Sequence, residues 1–181
     1  NKEIMKKYII IVVMVLNTMP LIAQDAMNIF EASRTGDLER IIELSNTDKN
    51  LLDSADYKGF TPLILACYNN NIDIVSFLLE HEVSIDNGDN SGNTALMGVS
   101  FKGYLGIAKR LLKSGADPNL RNYNGATALI YASTFGHKEI VEILLTSGAD
   151  RSLKDNREKT ALDHATMQEN QEIIDLLKKE F

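Results

Sequence analysis

What this chain lacks narrows its chemistry before any motif is considered. It has a single cysteine, Cys67, so no disulfide can close within one copy. Cys67 follows Leu65-Ala66 in an apolar helical pattern, where a small buried hydrophobe is expected rather than a catalytic thiol. A basic excess is also missing: 19 Lys and Arg stand against 25 Asp and Glu, a net charge of −6. Proteins that hold phosphate backbones use a clustered basic face, and no such cluster occurs, so nucleic acid is not expected as a partner. The same sign disfavours anionic membranes. No Gly-rich phosphate loop, His-Glu-x-x-His pair or Gly-x-Ser-x-Gly elbow is present, which removes the commonest enzyme signatures. Tryptophan is absent and proline scarce. The remaining composition, 44% apolar and 24% charged, is that of an ordinary globular chain with room for one domain.

Long apolar runs are missing as well. The unbroken stretch Tyr8 to Leu16 spans nine residues, against about 20 for a helix that crosses a bilayer. Lys6 and Lys7 precede it, and Pro20 and Ala23 follow. A basic start, a short apolar run and a small residue before the cut describe a secretory signal peptide over residues 1–23. An uncleaved anchor or a buried first helix are the other readings. Met5-Lys6-Lys7 reads as the natural start. The Ala23-Gln24 junction resembles that of exported Gram-negative bacterial proteins, which implies a periplasmic destination, with secretion as the alternative. Cleavage there removes Lys2, Lys6, Lys7 and Glu3, leaving 16 basic and 24 acidic residues and a net charge of −8.

The rest of the chain repeats itself. Thr61-Pro62-Leu63, Thr94-Ala95-Leu96, Thr127-Ala128-Leu129 and Thr160-Ala161-Leu162 lie 33 residues apart. Leu78-Leu79, Leu111-Leu112, Leu144-Leu145 and Leu176-Leu177 form a second register. Asp56-x-x-Gly59, Asp89-x-x-Gly92, Asn122-x-x-Gly125 and Asp155-x-x-Glu158 form a third. Asp or Asn three residues before Gly is turn chemistry. Thr then caps a short helix, with Pro62 at a position where its missing N–H costs nothing. Helix breaks are expected at Asn70, Gly103, Gly136 and Glu169. A second helix follows each break, its apolar residues at helical spacing, as in Ile140, Val141, Leu144 and Leu145.

These motifs resemble the ankyrin repeat, and Gly136 to Asp150 (GHKEIVEILLTSGAD) matches its second half almost throughout. The resemblance implies an all-α solenoid of stacked helix-turn-helix units with short β-turn or hairpin tips. Residues 24–181 would form it: a cap at 25–55, repeats at 56–88, 89–121 and 122–154, and a cap at 155–181. The N-terminal cap fits if Met27 takes the Thr position. The resemblance further implies a non-enzymatic, monomeric module that binds a protein on its concave face without a cofactor or metal. The contact positions it implies are the turn tips and the ends of the first helices. Those are Tyr57, Lys58, Phe60, Tyr68 and Asn69 in one repeat, and Asn90, Phe101 and Lys102 in the next. Tyr123, Asn124 and Phe135 follow, with Arg157 in the C-terminal cap. An enzyme or ligand-binding protein with an unrecognised site is the alternative.

Other candidate chemistry fits less well. His137 occupies a position where the family itself often has His, a structural role, whereas His81 between Glu80 and Glu82 is expected to be exposed. Asp86 to Asn93 has calcium-loop composition, but Gly88, Ser91 and Met97 stand where ligands, glycine and the closing acid are needed. Gly98 and Gly106 fall inside helices, where each costs about 0.5–1 kcal/mol relative to Ala. A large neighbour, Tyr131, is the expected complement to Gly98.

Overall fold

The computed structural model describes residues 29–179. The predicted signal peptide and the Met27 register lie outside them. Among the described residues the structure is helical and contains no strand. Five helix pairs follow in order. The first comprises α1 (29–35) and α2 (Leu38–Thr47), closed by a 3₁₀ turn at Lys49–Asp53. Then come α3 (Pro62–Tyr68) with α4 (Ile72–Glu80), and α5 (Ala95–Lys102) with α6 (Leu105–Lys113). The last pairs are α7 (Ala128–Thr134) with α8 (Lys138–Thr146), and α9 (Ala161–Met167) with α10 (Gln171–Lys178). No helix among the described residues is long and apolar enough to cross a membrane.

The Thr register starts each inner helix. The hydroxyls of Thr61, Thr94, Thr127 and Thr160 accept from the backbone N–H of Ile64, Met97, Ile130 and Asp163 at 3.2–3.3 Å. Asp163 completes a capping box by accepting from the Thr160 N–H at 2.8 Å. All four expected breaks take the left-handed conformation, at φ 58° for Asn70, 80° for Gly103, 78° for Gly136 and 55° for Glu169. The second helices bury one apolar stripe each, such as Ile107, Ala108 and Leu111 in α6. Leu78, Leu111 and Leu144 are fully buried, and truncation of such a leucine to Ala costs about 2–5 kcal/mol.

The inner helices differ in pattern because they are covered on both sides. α3 packs on α5, α5 on α7 and α7 on α9, so Pro62 to Cys67 are all buried. Small residues permit the close approach: Ala66, Cys67, Ala132, Ser133 and Ala165 have no exposed surface. Burial pushes the Cys67 thiol far above its ordinary range, which suits a packing residue.

Polar braces at one period fix each unit on the next. The side chains of Asp53, Asp86 and Asn119 accept from the N–H of Ser84, Asp117 and Asp150, at 2.8, 3.2 and 2.7 Å. Asp86 and Asp89 are thereby both engaged on backbone N–H groups, which explains the acidic loop as architecture. Asn71 donates to the Ser33 carbonyl at 2.8 Å, and His137 does the same to Phe101 at 3.0 Å. His137 thus brackets two repeats. His81 departs from expectation: it is half-buried, its ring 4.0 Å from that of Phe77 and its Nδ1 2.8 Å from the Phe77 carbonyl. Folding the ring onto its own helix hides apolar area that the flanking glutamates suggested would face water. At the far end Arg151 donates to the carbonyls of Leu177 and Lys179, tying down the last helix.

Candidate functional site

The turn tips are built by one side-chain oxygen each. Oδ1 of Asp56 accepts from the N–H of Lys58 and Phe60, at 2.9 and 3.0 Å. Asp89, Asn122 and Asp155 do the same for Ser91 and Asn93, Asn124 and Ala126, and Arg157 and Lys159. The turn is closed at Gly59, Gly92 and Gly125 with φ 74–80°, and by Glu158 at φ 58° in the last unit. Adjacent tips are then joined along the stack. The N–H groups of Asn90, Tyr123 and Asn156 donate to the carbonyls of Lys58, Ser91 and Asn124 at 2.9–3.0 Å. Because the turn and its neighbour consume the backbone groups, the side chains at the tip are left facing outward.

The tips and inner helices together carry all twelve positions that the sequence singled out, and the structure divides them. Tyr57 and Tyr123 stand out from their tips, 85% and 75% exposed. Phe101 and Phe135 close the ends of α5 and α7 at 36% and 48%, their rings edge to face with centroids 4.5 Å apart. Lys58, Asn69, Asn90, Lys102, Asn124 and Arg157 are exposed. Phe60 and Tyr68 are half-buried and lean on the core, with ring centroids 6.3 Å apart. The exposed aromatics therefore form two groups, one at the tips and one on the helices.

The family model for ankyrin repeats (three copies) matches residues 29–122 and, in a second overlapping placement, 97–180. The chain belongs to the ankyrin-repeat family. A search of curated proteins finds no match to it. Ankyrin repeats are generally protein–protein interaction modules and typically not enzymes.

Two hollows open on the face that this ankyrin-repeat chain makes from its tips and inner helices. The smaller, about 140 Å³, is lined by Tyr68, Asn93, Met97, Phe101 and Tyr131. Lys102 stands at its edge, Nζ 6.0 Å from the Tyr68 ring centroid and 5.7 Å from that of Phe101. The larger, about 530 Å³, has Ile130, Tyr131 and Phe135 on one side and Asn156, Arg157 and His164 on the other. Tyr131 is the wall between them. Its hydroxyl lies 3.3 Å from Asn93 Oδ1 and 3.0 Å from Asn122 Nδ2, while Asn122 donates to Asn93 at 2.7 Å. Burial, with Asp89 and Tyr131 nearby, raises the Tyr68 hydroxyl above its ordinary pKa, so that ring is neutral in the groove.

Gly98 makes the smaller hollow possible, though through a different neighbour from the one expected. A Cβ at Gly98 would lie 2.7 Å from Cε2 of Tyr68, the residue that ends the preceding inner helix. Tyr131 is held away by its bonds to the asparagines. At the other end, Nε2 of His164 donates to Oδ2 of Asp155 at 2.8 Å. Burial opposes the charge on Asp155, but the Lys159 N–H, the His164 ring and the Arg157 N–H together hold its pKa below the usual carboxylate range. Asn93 and Asn156, at turn positions the repeat implies for contact, line the hollows as well, whereas Tyr131, Met97 and His164 belong to this face and were not expected there. No position chosen from the repeat lies one period from these three, so spacing alone did not mark them.

Proposed function

We propose that this chain is an exported interaction module that holds a protein partner on its concave face, the face of the turn tips and inner helices. The observation that carries this reading is the set of aromatic side chains left uncovered there. Tyr57, Phe101, Tyr123 and Phe135 are rigid and amphipathic or apolar; Phe101 and Phe135 each line a hollow, and Tyr57 and Tyr123 stand out from the tips of the same face. A monomeric soluble chain that leaves such side chains along one face loses nothing if a partner covers them. The Tyr57, Phe101 and Tyr123 triple alanine variant tests the reading. Affinity capture with the full chain is followed by identification of the retained protein and titration of that protein against both forms. Loss of binding by the variant, with unchanged circular dichroism, supports the proposal. Equal affinity refutes it.

Export rests on the first 23 residues, with Lys6-Lys7, the Tyr8–Leu16 run and Ala23 as its supports. A periplasmic adaptor, inhibitor or protective partner is the role this combination favours. Cell fractionation with N-terminal sequencing tests it: a mature chain that starts at Gln24 in the periplasmic fraction is expected, and an intact leader in the cytosol contradicts it. The alternative placement, secretion, predicts the same cut with the protein in the medium. Sedimentation of the mature chain tests the expected monomer.

A further inference from the structure

We infer that the partner presents an acidic, extended segment, with an apolar side chain between its carboxylates, to the groove around Tyr131. This rests on the concave-face reading above and specifies its chemistry. The chain as a whole is acidic, with a net charge of −6, yet the exposed charges at the groove that carry no ion pair are of the other sign; the exposed acid in its last tip, Glu158, is paired with Lys154 at 3.4 Å. Lys58, Lys102, Arg157 and Lys159 are exposed on the tips and the end of α5, and none makes an ion pair among the described residues. Away from the groove some cations are matched, as Arg40 with Glu43 and Lys138 with Glu172, while Lys109, Arg110 and Lys113 on the outer helix α6 are exposed and make no ion pair among the described residues; what sets the groove apart is that its unpaired cations stand beside apolar hollows. Lys102 has only the ring faces of Tyr68 and Phe101 beneath it.

The carboxylates of this face are already engaged. Asp56, Asp89 and Asp155 each hold two N–H groups of their own turn, Asp56 is also paired with Arg34, and Asp155 with His164. These carboxylates are occupied by their own turns, so the four cations without an ion pair set the sign that an approaching chain meets. Between the cations lie the apolar walls of the hollows, formed by Met97, Phe101, Tyr131 and Phe135. Lys102 and Arg157 belong to units two steps apart in the stack. At roughly 8–10 Å per packed helix the gap is on the order of 20 Å. An extended segment at about 3.3 Å per residue crosses it in roughly six residues.

Selection of a random 16-residue peptide display library on the full chain tests this. Recovered peptides are expected to be enriched at least twofold in Asp and Glu over the input library, with an aromatic or branched aliphatic residue between acids. The double variant Lys102→Glu with Arg157→Glu is expected to weaken a selected peptide about tenfold, as loss and reversal of two rim pairs implies, and to move a repeat selection toward Lys and Arg. Peptides that lose affinity in Phe101→Ala/Tyr131→Ala but show no acidic bias overturn this inference and leave the concave-face reading standing. Peptides indifferent to both double variants overturn both. A dimer of the chain that the charge-reversal pair dissolves also overturns it, because the acidic occupant would then be a second copy.

Discussion

Two glycines in adjacent helices offer a matched test of how the groove is packed. Gly106 in α6 has open space where a Cβ would go, whereas Gly98 in α5 has Tyr68 Cε2 at 2.7 Å, Cδ2 at 3.1 Å and Cζ at 3.3 Å. Gly-to-Ala in a helix interior gains about 0.5–1 kcal/mol from reduced backbone entropy and better propensity. Gly106 is the second residue of α6, so Gly106→Ala should return the lower end of that gain, about 0.5 kcal/mol. Gly98→Ala receives a gain in that range but forces the Tyr68 ring off its seat, an overpacking penalty of about 1–3 kcal/mol. The net change is a loss of roughly 1 kcal/mol, and the two variants should differ by about 1.5 kcal/mol. With a urea m-value of about 1–3 kcal/mol/M, their midpoints separate by roughly 1 M. Equilibrium urea denaturation followed by far-ultraviolet circular dichroism reads this directly. In a Tyr68→Ala background the obstacle is gone, so Gly98→Ala should become stabilising there, the signature of direct coupling. If Gly98→Ala raises the midpoint as much as Gly106→Ala in the native background, the packing of Tyr68 on α5 is wrong.

Further predictions concern the turns and the core. Glu158 and Glu169 hold left-handed backbone, at φ 58° and 55°, where the equivalent positions carry Gly59, Gly92 and Gly125 in the first case and Asn70, Gly103 and Gly136 in the second. Glu158→Gly and Glu169→Gly should each stabilise by about 1 kcal/mol in urea titration, and a loss of stability contradicts the strain. The hydroxyls of Ser100 and Ser133 are buried without a partner, so Ser100→Ala and Ser133→Ala should be neutral or stabilise by up to about 1 kcal/mol. A drop greater than that shows an unrecognised hydrogen bond. Asp155 is held below the ordinary carboxylate range, so its contribution is present at neutral pH and is lost as pH falls below about 4 through the folded value. Asp155→Ala removes its turn and His164 bonds and should cost about 1.5–3 kcal/mol at pH 7. Asp155→Asn keeps the turn acceptor, as Asn122 does naturally, so it should cost less and flatten the acid limb of stability against pH. A limb as steep as in the native chain assigns that slope to other groups.

The architecture was legible because its signals are local. A Thr cap, an Asx turn and a left-handed break are each decided within about four residues, and all recur at one period. The site was only half legible, since periodicity tells which positions face outward but not where a long ring then folds. Tyr57 and Phe60 are three residues apart in one tip, yet one is exposed and the other rests on Tyr68. Tyr131 was invisible to that reasoning for a different reason. Its position carries Leu65 and Gly98 in the two preceding repeats, so nothing periodic marks it. Its role comes from Asn93 and Asn122, which hold its hydroxyl and fix the ring upright between two hollows. The same bonds explain why Gly98 accommodates Tyr68 from the preceding helix instead. Both facts depend on contacts between units, which spacing along one chain does not encode.

The central claim is that a protein occupies the face of the tips and inner helices. Hydrogen exchange on the complex with the captured partner measures this most directly. Slowed exchange is predicted in the tips and at the ends of α3, α5 and α7, with the outer helices α4, α6 and α8 unchanged. Protection confined to the outer helices would contradict the account.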